Sequence, residues 1–313
     1  MRVFVAGATG AIGARLIPLL VNAEHTVTGT TRNPAKADRI RAAGASPVVV
    51  DALRSGDLLA AVQRAEPEVI IHELTAIPSR IDLRHWDQTF GPTNRLRTEA
   101  TDTLLTAARA AGSRRLIAQS YAAWPYARTG SWIKTETDPL ITSPEPAVRE
   151  TLGAILHLES AVLGTPGVEG TVLRYGAFYG PGTSLGPGGS FLDDIRRRRV
   201  PIVGHGTGYW SFIHIDDAAS ATLAAVEGHE PGVYNVTDDE PAPVSEWLPQ
   251  YADALGAKKP YRVPKFVGRM AAGRYAVMLM TELRGASNER AQAELGWRPR
   301  YASWRQGFRE ALG

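Results

Sequence analysis

The chain has 313 residues, 44% hydrophobic and 21% charged, with 35 Lys and Arg against 32 Asp and Glu and a formal net charge of +3. This is the balance of a folded globular protein long enough to bury a large core, and it excludes a disordered chain. Cysteine is absent, which rules out disulfides, thiolate metal sites and a cysteine nucleophile. In chain order, the apolar run Val3 to Val5 reads as a buried parallel strand, and Ala11 to Val21 as the helix after it. Between them lies Gly7-Ala8-Thr9-Gly10-Ala11-Ile12-Gly13. Gly7 allows the bend out of the strand, Gly10 lets a phosphate approach the backbone, and Gly13 lets the helix pack close to the sheet. The free N–H groups of the helix start, with Thr9, Ala11 and Ile12 around them, then face that phosphate. Pro18 is expected to kink the helix.

Thr26 to Thr31 reads as the second strand, followed at once by Arg32 and Asn33. In a strand–helix–strand dinucleotide unit this strand end faces the adenosine ribose, where an acid selects a free 2′-hydroxyl and an arginine accommodates a 2′-phosphate. Arg32 stands there with no acid beside it, which points to NADP(H) rather than NAD(H); the alternative is a solvent-facing arginine at a turn.

The Gly-x-x-Gly-x-x-Gly spacing resembles the extended short-chain dehydrogenase/reductase family, also called the NAD-dependent epimerase/dehydratase family. The resemblance implies an α/β fold: a Rossmann-type doubly wound parallel sheet with a small C-terminal substrate-binding lobe. It places the dinucleotide-binding part at 1–174, completed by elements around 211–237, and the lobe at 175–210 and 238–313. Further strands are read at Ser46 to Val50, Glu68 to His72, Arg115 to Gln119, Gly170 to Arg174 and Gly232 to Thr237. The resemblance sets Asp51 and Ala52 beside the adenine, and Leu74, Thr75 and Ala76 under the cofactor. It also sets Tyr175 and Ala177 in the strand-to-loop landmark ending Tyr179-Gly180-Pro181. His72 reads as a packed histidine, and Glu73 occupies a position that is commonly apolar.

A helix is read at Leu58 to Ala65, and a long one lies within Trp86 to Ala111, with Leu96, Ala100, Leu104, Leu105 and Ala108 on one buried stripe and Gly112 ending it. After the fifth strand come Ser120 and Tyr121, where the family carries two small hydroxyl residues. The family's tyrosine, which acts as acid or base, and the lysine four residues on, which lowers the tyrosine pKa and holds the nicotinamide ribose, belong to the next helix. Anchoring on Glu159 puts Thr151 and Ile155 in their places; a shift of one gives Glu150 and Ala154. Neither register supplies the pair, so this chain departs from its family at the centre of the usual chemistry. Tyr121, with Ser120 beside it, is the replacement proton donor expected here, against a reading of Tyr121 as a packing aromatic; Glu150 and His157 are its rivals on the helix.

Beyond that, Gly176 to Gly189 reads as a long loop over the substrate. Helices are read at Phe191 to Arg199, Val244 to Leu255, Ala286 to Leu295 and Ser303 to Leu312. Arg196 to Arg199 reads as a solvated helix end or a contact for an acidic ligand. His214, Asp216 and Asp217 read as a strand end and helix cap rather than a metal cluster, and no metal is expected. Many sugar-nucleotide members carry a diphosphate-binding arginine where this chain has Trp210, and an indole cannot replace it. With Trp124, Tyr126 and Tyr179, Trp210 instead points to an uncharged, partly aromatic or polycyclic small-molecule substrate.

The expected function is therefore an NADP(H)-dependent oxidoreductase reducing a carbonyl or activated double bond. A non-redox catalyst (cyclase, epimerase or dehydratase) or a cofactor-sensing binding protein remains the alternative, favoured by the missing pair. No apolar run nears a membrane span and no leader precedes the first strand, so a cytoplasmic protein without nucleic-acid or membrane partners is expected. The resemblance implies a homodimer through helices at 98–111 and 147–163.

Overall fold

The structure is a computed structural model that describes residues 1–122, 124–228 and 230–312, so Ala123 of the loop after the fifth strand lies outside the described residues. Short β-branched runs buried on both faces give a parallel sheet of seven strands. These are β1 (Arg2–Ala6), β2 (Thr26–Thr31), β3 (Ser46–Val49), β4 (Val69–His72), β5 (Arg115–Tyr121), β6 (Glu169–Tyr175) and β7 (Gly232–Val236). Their order is β7-β6-β5-β4-β1-β2-β3, so the sheet changes direction between β1 and β4. Ligands of doubly wound sheets bind at that switch, outside the strands' carboxyl ends.

Alternation along the strands sorts side chains into two cores. On one face Val3, Val5, Ile71 and Tyr175 pack with α1 (Gly13–Asn22), α2 (Ala37–Ala42) and α8 (Ile215–Glu227). On the other, Phe4, Ile70, Leu116 and Ala118 pack with α3 (Ser55–Ala65), α5 (Thr101–Ala111) and α6 (Arg149–Gly164). A third core joins α7 (Ser190–Arg196), α9 (Val244–Ala254) and α12 (Trp304–Leu312) around Trp247, Tyr251 and Phe308.

The long helix expected within 86–111 is α4 (Trp86–Arg95) and α5 joined through a π-helical turn at Leu96–Ala100. The buried stripe survives the extra residue, and Gly112 ends α5 with φ 67°. Two other elements differ from expectation. Arg198, at φ 58°, stops α7 early and leaves Arg196 to Arg199 exposed. Gly285–Ala286 pairs as a short strand with Ile133–Lys134, so only α11 (Glu289–Glu294) remains of the helix read from Ala286. The sequence reading also missed α10 (Lys265–Thr281), which is broken at Gly273 (φ 87°, ψ 170°). Arg84 bridges that break, donating 2.6 Å hydrogen bonds to the carbonyls of Met270 and Ala271.

Candidate active site

The glycine loop bends out of β1 at Gly7, whose φ is 100° and where a Cβ would sit 2.7 Å from the carbonyl oxygen of Glu73. A Cβ on Gly13 would overlap the Gly7 carbonyl, so neither position accepts a side chain. The loop is tied to β2 by Gly7 N–H to Thr30 Oγ1 and Ala8 N–H to Thr30 O, each 3.1 Å. Among the described residues, the N–H groups of Thr9, Ala11, Ile12 and Gly13 meet no acceptor, and α1 has no side-chain cap. Free donors at the positive end of a helix fit a diphosphate.

Thr9 reaches Thr31 at 3.3 Å, and beyond it Arg32 is exposed at the end of β2. Asn33 spends its side chain on the Ala35 N–H, and Asp51 spends one oxygen on the Leu53 N–H. Ala52 is buried, Leu74 and Ala76 are half-buried and Thr75 is exposed along the same crevice. These residues fit a nicotinamide dinucleotide, with the diphosphate on the loop and the adenosine half toward β2. Tyr175 does not join them. Its side chain alternates into the α1/α8 core, where its hydroxyl meets Thr222 at 2.6 Å and Glu73 at 3.3 Å. Ala177, half-buried, is hydrogen-bonded to the Ser211 carbonyl.

Ser120 and Tyr121 part at the end of β5. Ser120 faces α6 and donates at 2.6 Å to Glu159, which also binds Arg174 through both oxygens. Arg174 in turn donates to the Tyr126 hydroxyl, and that hydroxyl donates to Asn235, both at 2.8 Å. The hydroxyls of Ser120 and Tyr126 are thus consumed in a buried ion-pair network, which corrects the expectation that one works beside the proton donor and the other lines the substrate. Tyr179 is corrected likewise: it is fully buried in the third core, edge-on to Phe308 at 5.1 Å. Tyr121 faces the other way. Its hydroxyl has no hydrogen-bond partner among the described residues, and burial pushes its pKa up to about 12, so it stays a neutral donor.

On α6, Glu159 grips Arg174 through both carboxylate oxygens. Thr151 is 1% exposed and donates its hydroxyl to Asp87 at 2.7 Å while accepting from Asn94 at 3.1 Å. Asp87 also takes the N–H groups of Glu150 and Thr151, serving as the cap that α6 lacks in its own sequence. Ile155 is 2% exposed. Neither residue can supply or accept a proton at neutral pH. Glu150 is exposed, and His157 is turned outward to Asp102 at 2.7 Å, which sets the two rivals aside.

Above this helix face lies an aromatic cluster. Trp86 stacks on Phe90 at 4.5 Å and meets Tyr275 of α10 at 4.6 Å, with Trp124 6.0 Å from Tyr275. Leu152 and Ile155 belong to the same cluster, and Tyr121 and Trp210 pack against it. Trp210 donates its indole N–H to the Leu279 carbonyl at 3.0 Å. Among the described residues, the buried Trp86 Nε1 and Tyr275 hydroxyl have no hydrogen-bond partner. The sequence reading missed Trp86 and Tyr275 because Trp86 was read only as the start of a helical segment and α10 was not foreseen. His214 caps α8, accepting the Asp216 N–H, and Asp217 accepts the N–H groups of Arg300 and Tyr301.

A switch-point crevice, an uncapped helix behind a glycine loop and a seven-stranded parallel sheet define a dinucleotide-binding Rossmann protein. Residues 3–237 match the model of the NAD dependent epimerase/dehydratase family, and the chain belongs to that family. It is 42% identical over 312 residues to a 3-diazoavenalumate denitrifying reductase from a Streptomyces species, covering 98% of this chain and 99% of that one. It is 27% identical to a farnesyl-dihydroquinoline-oxide ketoreductase of Stigmatella aurantiaca, over 82% of this chain and 74% of the other. Among solved structures, a human epimerase family protein with NADPH superposes with a TM-score of 0.76 at 23% identity, covering 99% of both chains. A Thermotoga maritima UDP-glucose 4-epimerase gives 0.75 at 19%, covering 99% of this chain and 97% of that one. The chain is an NAD(P)-dependent oxidoreductase of the extended short-chain dehydrogenase/reductase type. Among the described residues, no helix is long and apolar enough to cross a membrane.

Proposed function

We propose that this oxidoreductase uses NADPH to replace the diazo group of an aromatic small molecule by hydrogen. The observation that carries the reading is the state of α6, which has no tyrosine or lysine and on which Thr151 is buried and bound to Asp87 and Ile155 is buried. A ketone needs a proton as its oxygen is reduced. An arenediazonium does not: a nicotinamide dinucleotide held on the glycine loop would supply hydride to the ring carbon, the C–H bond forming as the C–N bond breaks and its electron pair leaves on N2. The two electrons would come from the reduced dinucleotide and end on the ring carbon, and no acid is required of the protein. The Streptomyces relative, a denitrifying reductase of a diazo compound, supports the same chemistry.

The protein's own part is binding and exclusion of water. The glycine loop holds the diphosphate, and Arg32 at the end of β2, with no acid beside it, favours the 2′-phosphate. The cluster of Trp86, Trp124 and Tyr275 offers a planar substrate apolar contact, and the unspent Trp86 Nε1 and Tyr275 hydroxyl offer donors to a ring oxygen. The test is to mix protein, NADPH deuterated at C4 and an arenediazonium salt carrying a ring hydroxyl. Release of N2 above the protein-free rate, with deuterium on the carbon that bore nitrogen, is expected. Failure of either would sink the reading.

Reduction of a carbonyl is the second reading. It is favoured by the free Tyr121 hydroxyl and by the ketoreductase relative.

A further inference from the structure

We propose that Arg97 is a cofactor-binding residue whose guanidinium holds oxygen atoms of the nicotinamide half of the dinucleotide. Arg97 is 8% exposed. Among the described residues, no carboxylate, carbonyl or hydroxyl accepts a hydrogen bond from its side chain, although its own backbone carbonyl takes the Thr101 hydroxyl at 2.8 Å. Burial draws its pKa down only to about 10, so the guanidinium is charged at neutral pH. Its guanidinium nitrogens stay open at the surface of the crevice, where a charge this recessed is best matched by a ligand that repays its lost hydration.

Its place in the fold says which ligand. Thr101, one turn after Arg97, meets the His72 imidazole at 3.0 Å, and His72 ends β4 in register with Ala6, the last residue before the glycine loop. The helix after a parallel strand runs back along it, so the turn before Thr101 lies past the strand ends, beside the crevice. Arg97 is thus on the β4 and α6 side of the switch point, whereas Arg32 is on the β2 side. A dinucleotide across the switch puts its adenosine half toward Arg32 and its nicotinamide half toward Arg97.

The neighbouring groups do not compete for the guanidinium. The nearby carboxylate of Glu159 is engaged by both forks of Arg174 and by Ser120. One turn earlier on α6 stands Ile155, so that helix offers no cation of its own at this level. Arg97 also sits in the π-helical turn at Leu96–Ala100. One extra residue in a helix turns the following side chains about its axis, and such turns gather at functional sites.

The test is a binding measurement without substrate, so its outcome is independent of the diazo reading. The tighter of NADPH and NADH is titrated by calorimetry against its own adenosine half, 2′,5′-ADP or 5′-AMP, in wild type, Arg97→Met and Arg97→Lys. Arg97→Met is expected to weaken the whole dinucleotide about tenfold or more and to leave the adenosine half within about twofold; Arg97→Lys recovers part of the loss. Unchanged dinucleotide affinity in Arg97→Met overturns the assignment, because the guanidinium then meets only water. Equal weakening of dinucleotide and adenosine half overturns it too, because Arg97 then acts through the fold. If Arg97→Met does not fold, Arg97→Gln carries the same comparison with the same two overturning results.

Discussion

Asp87 of α4 holds Thr151 of α6 by both its hydroxyl and its backbone N–H, at 2.7 and 2.9 Å. One carboxylate therefore caps the helix and ties the Thr151 hydroxyl into a structural contact. Restoring the family pair as Thr151→Tyr plus Ile155→Lys should not raise turnover. Forcing a phenol into a site 1% exposed costs about 1–3 kcal/mol, and a buried ammonium adds to it. Thermal unfolding should show a lower Tm, and turnover of the diazo substrate should not rise. A double variant as stable as wild type and faster on that substrate would mean that the acid is wanted after all. Asp87→Ala, which removes both the cap and the acceptor of the Thr151 hydroxyl, should cost about 1–3 kcal/mol.

Arg32→Ala should abolish a preference for NADPH over NADH. Charge-assisted hydrogen bonds to a phosphate contribute roughly 1.5–3 kcal/mol, or about tenfold or more in affinity. Calorimetry on wild type and variant measures both cofactors. Equal affinities in the wild type would remove the basis of the claim, since Arg32 is exposed and would then serve only the turn.

Tyr121→Phe separates the two substrate classes. Its hydroxyl is held neutral by burial, with the pKa pushed up to about 12, and has no partner to lose among the described residues. For a diazo substrate, which needs no proton from the protein, kcat should change less than about threefold. For a ketone, removal of a general acid should cut kcat by roughly 10²-fold or more. A 10²-fold loss on the diazo substrate would contradict the acid-free step, whereas the same loss confined to ketones would show Tyr121 as the donor of the second activity.

The sheet was legible because its strands are short apolar runs cut by turns, and the glycine loop because sterics allow no other residue at Gly7 and Gly13. That α6 carries no tyrosine and no lysine is plain from its own residues, Arg149–Gly164. What could not be read was direction. Period 2 along β5 sends Ser120 to Glu159 and Tyr121 to the aromatic cluster, and a hydroxyl at a strand end gives no hint of which partner waits. Tyr126, Tyr175 and Tyr179 looked like crevice aromatics for the same reason. Tyr275 belongs to a helix broken at Gly273, whose apolar pattern has no single face, and Arg97 to a π-helical turn that periodicity read as unbroken helix.

Glu73 sets a stability–pH dependence that can be isolated. It is 5% exposed, one oxygen accepts from Tyr175 at 3.3 Å, and the other has no partner among the described residues. Burial raises its pKa from 4.5 to about 8, the Tyr175 hydrogen bond opposing the shift. The unfolded chain releases this proton near the ordinary carboxyl value while the folded chain keeps it, so the folded state binds more protons through the window between. Stability from Glu73 is therefore full below about pH 4.5 and is lost as pH rises to about 8, at about 1.4 kcal/mol per pH unit. His72, buried and drawn down to about 4, acts in the opposite sense in acid, but it is common to wild type and variant and cancels in their difference. Glu73→Gln keeps the shape without the titration, so urea unfolding at pH 5 and pH 8 should show the variant gaining on wild type as pH rises. Parallel curves for the two proteins would show that Glu73 ionises in the folded chain as it does in the unfolded one.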